Sequence, residues 1–211
     1  MLKNDHAQES RRDRNKREKL ERIERAARRL FAERGYDKTT TRAIADAAEI
    51  GAGTLFVYFP EKLDLLMHLF RQDLDRVINS ELDALPVDLP LVDACMRVFD
   101  ATYDFYAADK ALARAFVKEM MFVDLERQSA LFNTTVRYIG RLGQLIEAGV
   151  ERGEVRPDVP VPLAAHQLFG LYYWGLVNWL SGFFDRRQLT MQVRMSLDLL
   201  ARGLKGGGDG N

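Results

Sequence analysis

A chain of 211 residues, 47% hydrophobic and 29% charged, has the length and composition of a soluble globular protein of one or two domains. Lys+Arg and Asp+Glu are both 31, so net charge by itself argues for no polyanionic partner, and the single cysteine, Cys95, excludes an intramolecular disulfide. His6, His68 and His166 form no H-x-x-x-H or Cys/His pair, and there is no Walker loop or G-x-G-x-x-G, so neither a metal site nor a cofactor is expected.

The charge is unevenly spread. Residues 1–42 carry 14 Lys/Arg against 8 Asp/Glu, which leaves 17 against 23 for the rest. A basic N-terminal part on an acidic remainder fits a nucleic-acid-binding head on a different kind of body. Residues 1–17, with Arg11, Arg12, Arg14, Lys16 and Arg17, read as a basic flexible arm, either a solvated tail or a strap for phosphates or the minor groove. Leu20, Ile23, Ala27, Leu30 and Phe31 then make one apolar helical stripe, which Gly35 ends.

The most informative stretch is Thr39 to Lys62, TTTRAIADAAEIGAGTLFVYFPEK. Thr40 is a good N-cap, and Ile44, Ala45 and Ala48 share one face of a short helix. Glu49-Ile50-Gly51 breaks the period. Gly51 or Ala52 opens a second helix with Leu55 and Phe59 inward and Thr54, Val57 and Tyr58 outward, Phe56 lying near the edge. Pro60 stops it, since proline lacks an N–H and restricts the residue before it. Pattern alone leaves two readings, an ordinary helical hairpin and a helix-turn-helix that enters the DNA major groove.

This segment resembles the DNA-binding segment of the TetR/AcrR family of bacterial repressors, close to T-x-x-x-I-A-x-x-A-G-V-S-x-G-T-L-Y-x-Y-F-x-x-K. Ile44, Ala45, Ala48, Gly53, Thr54, Leu55, Tyr58, Phe59 and Lys62 match, with Phe56 for Tyr and Ile50 for Val. The turn departs from the pattern. Glu49 stands for the usual Gly, and Gly51-Ala52 for a Ser followed by a frequent cation, which removes two candidate phosphate contacts. The resemblance implies an all-α protein of about nine helices. Residues 18–62 would form a three-helix helix-turn-helix domain, and residues 63–204 a helical effector-binding and dimerisation domain. It further implies a homodimer on a (pseudo)palindromic double-stranded DNA operator, released by a small molecule. Thr41, Arg42, Gly53, Thr54, Phe56, Val57, Tyr58 and Lys62 are the expected DNA-binding residues. Lys62 sits in the first turn of a helix, where the dipole does not favour a cation, so a phosphate is its expected partner.

Beyond the head, Leu63, Leu66, Met67, Phe70, Leu74, Val77 and Ile78 predict a helix over 61–83, long enough to join head and body. Pro86 and Pro90 bracket a break. Helices follow at 91–108, from Asp109, and from Asp124 to a close at Gly153 and Pro157. Val159 to Phe184 contains Asp-, Glu-, Lys- and Arg-free sequence long enough to span a bilayer. His166, Gln167, Asn178 and Ser181 within it argue instead for a helix buried on both faces. The last helix covers 188–204, and 205–211 is a flexible tail. Apolar surface to spare on the last two helices predicts a four-helix dimer interface through Phe169, Tyr173, Leu176, Leu180, Val193, Leu197 and Leu200.

Phe99, Tyr103, Phe116, Met120, Phe122, Tyr138 and Trp174 are the expected lining of an effector pocket, with Tyr103, Tyr138 and His166 as polar handles for an uncharged, largely apolar ligand. The alternative for each is plain core packing. A helical enzyme is the competing function, but no nucleophile–base pair or cofactor loop supports it, and no enzymatic activity is expected. A membrane-anchored helical protein is the third reading. With no signal peptide in view, a cytoplasmic location without membrane attachment is expected.

Overall fold

The computed structural model describes residues 11–121 and 128–205, with side-chain environments for 11–120 and 135–205. All regular structure among them is helical: α1 (Arg11–Arg34), α2 (Thr41–Ala47), α3 (Ala52–Tyr58), α4 (Lys62–Asp83), α5 (Leu91–Ala108), α6 (Lys110–Met121), α7 (Gln128–Glu151), α8 (Val161–Ser181) and α9 (Arg186–Leu204). The chain divides into two compact units, Met1–Leu69 and Phe70–Asn211, and the division falls inside α4. The helix over 11–17 corrects the reading of those residues as a flexible arm. Arg14–Glu18 and Arg17–Glu21 are i,i+4 ion pairs at 3.6 and 3.8 Å, which favour helix there.

In the first unit the stripe Ile23, Ala26, Ala27, Leu30 and Phe31 of α1 is buried together with Ile44, Ala45, Leu55 and Phe59. Gly35 at φ +78° ends α1, and its N–H donates to the Phe31 carbonyl at 2.9 Å. The buried Thr39 hydroxyl sits against two α1-end carbonyls, those of Leu30 (3.1 Å) and Gly35 (2.8 Å). Thr40 caps α2 by accepting from the Ala43 N–H at 3.1 Å. Glu49 is the non-glycine residue with positive φ among the described residues, at +55°. The turn does require the left-handed backbone that glycine adopts freely, and here a glutamate supplies it.

The second unit is built around α5, which buries nine residues from Leu91 to Tyr106. The Glu154 carboxylate caps its start, accepting from the Leu91 N–H at 2.9 and 3.0 Å. Beside it lies Cys95, whose thiol burial pushes up to about 12, as expected of an inert core cysteine. Asp185 and Gln188 form a reciprocal capping box at the start of α9. Arg186 ties that end to α5 through Asp100 (3.0 Å) and Asp104 (2.9 Å). α8 ends at Gly182 with φ +87°. Among the described residues no helix is long and apolar enough to cross a membrane.

Gly175 marks where α8 and α9 come closest. A Cβ built there would lie 2.7 Å from Val193 Cγ2 and 2.9 Å from Leu189 Cδ1. This packing overturns most of the expected dimer face. Leu176, Leu180, Val193 and Leu197 are buried within the protomer, Leu200, Phe169 and Tyr173 are half-buried, and none presents an open apolar face. Both sides of α8 are apolar, so sequence could not say which side meets the protomer's own core. The outward apolar residues are Leu163 and Trp174 on α8 and Met191, Met195 and Leu199 on α9.

Two substitutions test these packing claims. Glu49→Gly removes a left-handed non-glycine residue and should stabilise the first unit by about 1 kcal/mol in chemical denaturation, since such strain costs on the order of 1–3 kcal/mol. Gly175→Ala should destabilise the second unit by about 1–3 kcal/mol through overpacking. An unchanged unfolding midpoint in Gly175→Ala would mean that α9 has room to shift.

Candidate nucleic-acid interface and the aromatic centre of the body

The turn Ala48–Gly51 projects α3 so that Leu55 is buried while Phe56 and Val57 are 49% and 83% exposed. These exposed apolar side chains on a seven-residue helix add little to the packing of the described residues, and they suit contact with thymine methyl groups. Gly53 is exposed, and a Cβ there would meet nothing within 4 Å, so nothing in the chain itself demands glycine at that position. Thr41 and Thr54 are half-exposed at the starts of α2 and α3. Arg42 is exposed and has no carboxylate partner among the described residues. α3 begins at Gly51 with no side-chain cap, where the family pattern has serine. Thr54 and Leu55 donate to the Gly51 carbonyl at 2.9 and 3.2 Å, which leaves the N–H groups of Ala52 and Gly53 outside the helix's own bonding.

Two of the expected phosphate contacts already have partners. The Tyr58 hydroxyl donates to the Lys16 carbonyl at 3.3 Å. The Lys62 ammonium donates to the carbonyls of Tyr36 at 2.8 Å and Thr39 at 3.0 Å, and it lies 4.2 Å from the centre of the Tyr36 ring. The expectation of a phosphate as the partner of Lys62 is thereby corrected. The cation offsets its unfavourable place at a helix start by gathering the carbonyls that follow α1. The His68–Glu24 pair at 2.7 Å joins α4 to α1 in the same unit.

In the second unit α5, α7 and α8 bring tyrosines together. Tyr172 lies 5.4 Å from Tyr103, 5.4 Å from Tyr138 and 5.2 Å from Phe99, centroid to centroid. Phe116 stacks on Phe70 at 4.4 Å. The Tyr103 hydroxyl donates to the Tyr172 carbonyl at 2.9 Å, so this expected handle is already engaged. The hydroxyls of Tyr138 and Tyr172 are buried and have no hydrogen-bond partner among the described residues. Leaving such groups unpaired costs on the order of 1–3 kcal/mol each. Burial pushes the Tyr138 phenol up strongly and the Tyr172 phenol up to about 12, so both stay protonated donors at neutral pH.

Phe99, Tyr103, Phe116 and Tyr138 thus belong to the expected centre, and Met120 lies half-buried near the end of α6. Phe122 lies outside the described residues. Trp174 does not line the centre: it is 66% exposed, on the α8 face opposite Tyr172. His166 is exposed too, with Nδ1 2.7 Å from the Pro162 carbonyl, and is no handle for a buried ligand. Sequence reading missed Tyr172 as a member of this centre, because polarity marks neither side of α8 and an unbonded hydroxyl leaves no trace in the sequence. It also missed Arg137 and Arg141. These line a cleft of about 270 Å³ between α4 and α7 that shares Tyr138 with the aromatic centre.

Against known proteins, the profile described as "Bacterial regulatory proteins, tetR family" matches residues 23–69. The chain is 32% identical over 157 residues to the HTH-type transcriptional repressor KstR2 of Rhodococcus jostii, which spans 71% of this chain and 74% of that one. It is 25% identical over 179 residues to the fatty acid metabolism regulator protein of Bacillus subtilis, covering 85% and 92%. The fold superposes on that of Thermus thermophilus FadR, a TetR-family transcriptional repressor in complex with lauroyl-CoA. The TM-score is 0.76 and the identity 26%, over 91% of this chain and all of that one.

The partners of Lys62 separate two effects. Lys62→Met should lower the unfolding free energy of the first unit by about 1–2 kcal/mol, the scale of charged hydrogen bonds lost. Thr54→Ala should leave stability unchanged and weaken DNA binding equally for all sequences. Equal melting of Lys62→Met and the unaltered protein would show that the carbonyl contacts contribute nothing.

Proposed function

The chain belongs to the TetR family of bacterial regulatory proteins, and from that premise we propose that it is a homodimeric repressor released from its operator by a coenzyme A thioester. On the DNA side, α3 enters the major groove, with Phe56 and Val57 on base edges and Thr41, Arg42, Gly53 and Thr54 at the backbone. Two such heads related by a twofold axis read a (pseudo)palindrome. The dimer forms through the outward stripes of α8 and α9, with Trp174, Met191, Met195 and Leu199 at its centre.

The observation that carries the effector reading is the pair of buried hydroxyls of Tyr138 and Tyr172, which make no well-formed hydrogen bond among the described residues although the hydroxyls of Thr102 and Tyr106 lie near them. An acyl chain matches the apolar walls, and a thioester carbonyl can accept from both phenols. The lauroyl-CoA held by the Thermus relative supports this class of ligand. An entirely uncharged effector, the expectation from sequence, fits less well once Arg137 and Arg141 stand in the adjoining cleft. Ligand and DNA then oppose each other through α4, a single helix from Lys62 to Asp83, with a coupling of about 1–3 kcal/mol.

Retardation of the chain's own upstream DNA, with acyl-CoA thioesters from acetyl to octadecanoyl added in turn, tests the proposal. Long-chain thioesters should release the DNA and acetyl-CoA should not. Arg42→Ala should reduce the salt dependence of binding by about one phosphate contact. Met195→Glu should give monomers in light scattering and abolish operator binding. Release by none of the thioesters would end the effector assignment, and no DNA binding at low salt would end the repressor assignment.

A further inference from the structure

The cleft between α4 and α7 carries more charge than an acyl chain needs. Arg137 and Arg141 are one helical turn apart on α7 and point across it to α4. Arg137 donates to Asp75 at 2.8 Å and Arg141 to Asp83 at 2.6 Å. Between them on the wall is Gly140, in mid-helix and exposed, where a Cβ would meet nothing within 4 Å. Glycine inside a helix costs about 1 kcal/mol relative to alanine, and no packing in the protomer calls for it here. It keeps the wall low. Tyr138 belongs to the same wall, yet its hydroxyl is one of the two buried, unpartnered groups. One residue therefore borders both the charged cleft and the apolar centre.

We propose that this cleft is the anion-binding mouth of the effector site, in which Arg137 and Arg141 exchange Asp75 and Asp83 for phosphate oxygens of the ligand. The proposal rests on the coenzyme A thioester reading and adds where its phosphates sit and what they displace. A guanidinium forms two parallel hydrogen bonds with a phosphate as readily as with a carboxylate, so the exchange conserves its hydrogen bonds. It leaves the two α4 carboxylates unpaired beside the incoming negative charge. α4 then loses two ties to α7 and is repelled from the occupied cleft. Without ligand the two ion pairs neutralise the cleft and hold α4 to α7 in one arrangement. This makes the pair of arginines the switch element, and Gly140 the opening past which the chain reaches Tyr138.

The test is calorimetric titration of the full chain with dodecanoyl-CoA and with S-dodecanoyl-pantetheine, which has the same acyl thioester and no phosphate. The unaltered protein should prefer the coenzyme A ester by about tenfold or more, roughly 1.4 kcal/mol. Arg137→Gln/Arg141→Gln should erase that preference and leave pantetheine-ester binding as it was. Asp75→Asn/Asp83→Asn should bind the coenzyme A ester several-fold more tightly, an opposite change that misfolding cannot imitate. Equal binding of the two esters by the unaltered protein, or a preference surviving in the arginine variant, overturns the mouth while leaving an acyl thioester in the centre. Binding of neither ester overturns both readings together.

Discussion

The close passage of α8 over α9 at Gly175 governs the second unit. A methyl group on the α8 backbone here would lie 2.7 Å from Val193 Cγ2 and 2.9 Å from Leu189 Cδ1 and force them to shift, and the Tyr103 hydroxyl stands 3.1 Å from where a Cβ would be. Because α9 comes this near, its stripe Leu189, Val193, Leu197 and Leu204 turns into the protomer and is lost to any partner. The opposite stripe, Met191, Met195 and Leu199, is left outside. The same approach brings Tyr103 to the Tyr172 carbonyl and so sets Tyr172 against Tyr138. The outward apolar stripe of α9 and the tyrosine cluster thus follow from one steric fact.

The first unit depends on a different device. A short three-helix head has little core, and its loops must be held by polar contacts. Thr39 serves two carbonyls at the end of α1, and Lys62 gathers those of Tyr36 and Thr39 from the start of α4. These bonds fix the chain before α2, while the left-handed Glu49 directs it into α3. What α3 presents outward is then small, apolar and hydroxylated. That surface suits a groove whose phosphates are met mainly by backbone N–H groups.

Body and head share α4, and the charges along it belong to different tasks. Near its start Lys62 serves the head, while Asp75 and Asp83 face the arginines of α7. The tyrosine centre and the arginine cleft are neighbouring places of opposite chemical character, joined at Tyr138.

Sequence by itself determined the helical class, the helix-turn-helix and the positions of most helix ends. These are local properties, set by a stripe at helical spacing, a capping Thr40, a stop at Gly35 or Pro60. The motif from Ile44 to Lys62 also carried the family, because its outward residues are set by a fixed period on short helices. Only the tertiary structure decided which side of α8 faces the core, since Leu176 and Trp174 are equally apolar in sequence and differ only in what packs on them. It alone showed that Lys62 has carbonyl partners and that the hydroxyls of Tyr138 and Tyr172 have none among the described residues. Partnership depends on groups brought close from distant parts of the chain, as Arg137 is brought to Asp75, and no periodicity along one helix encodes which distant group will arrive.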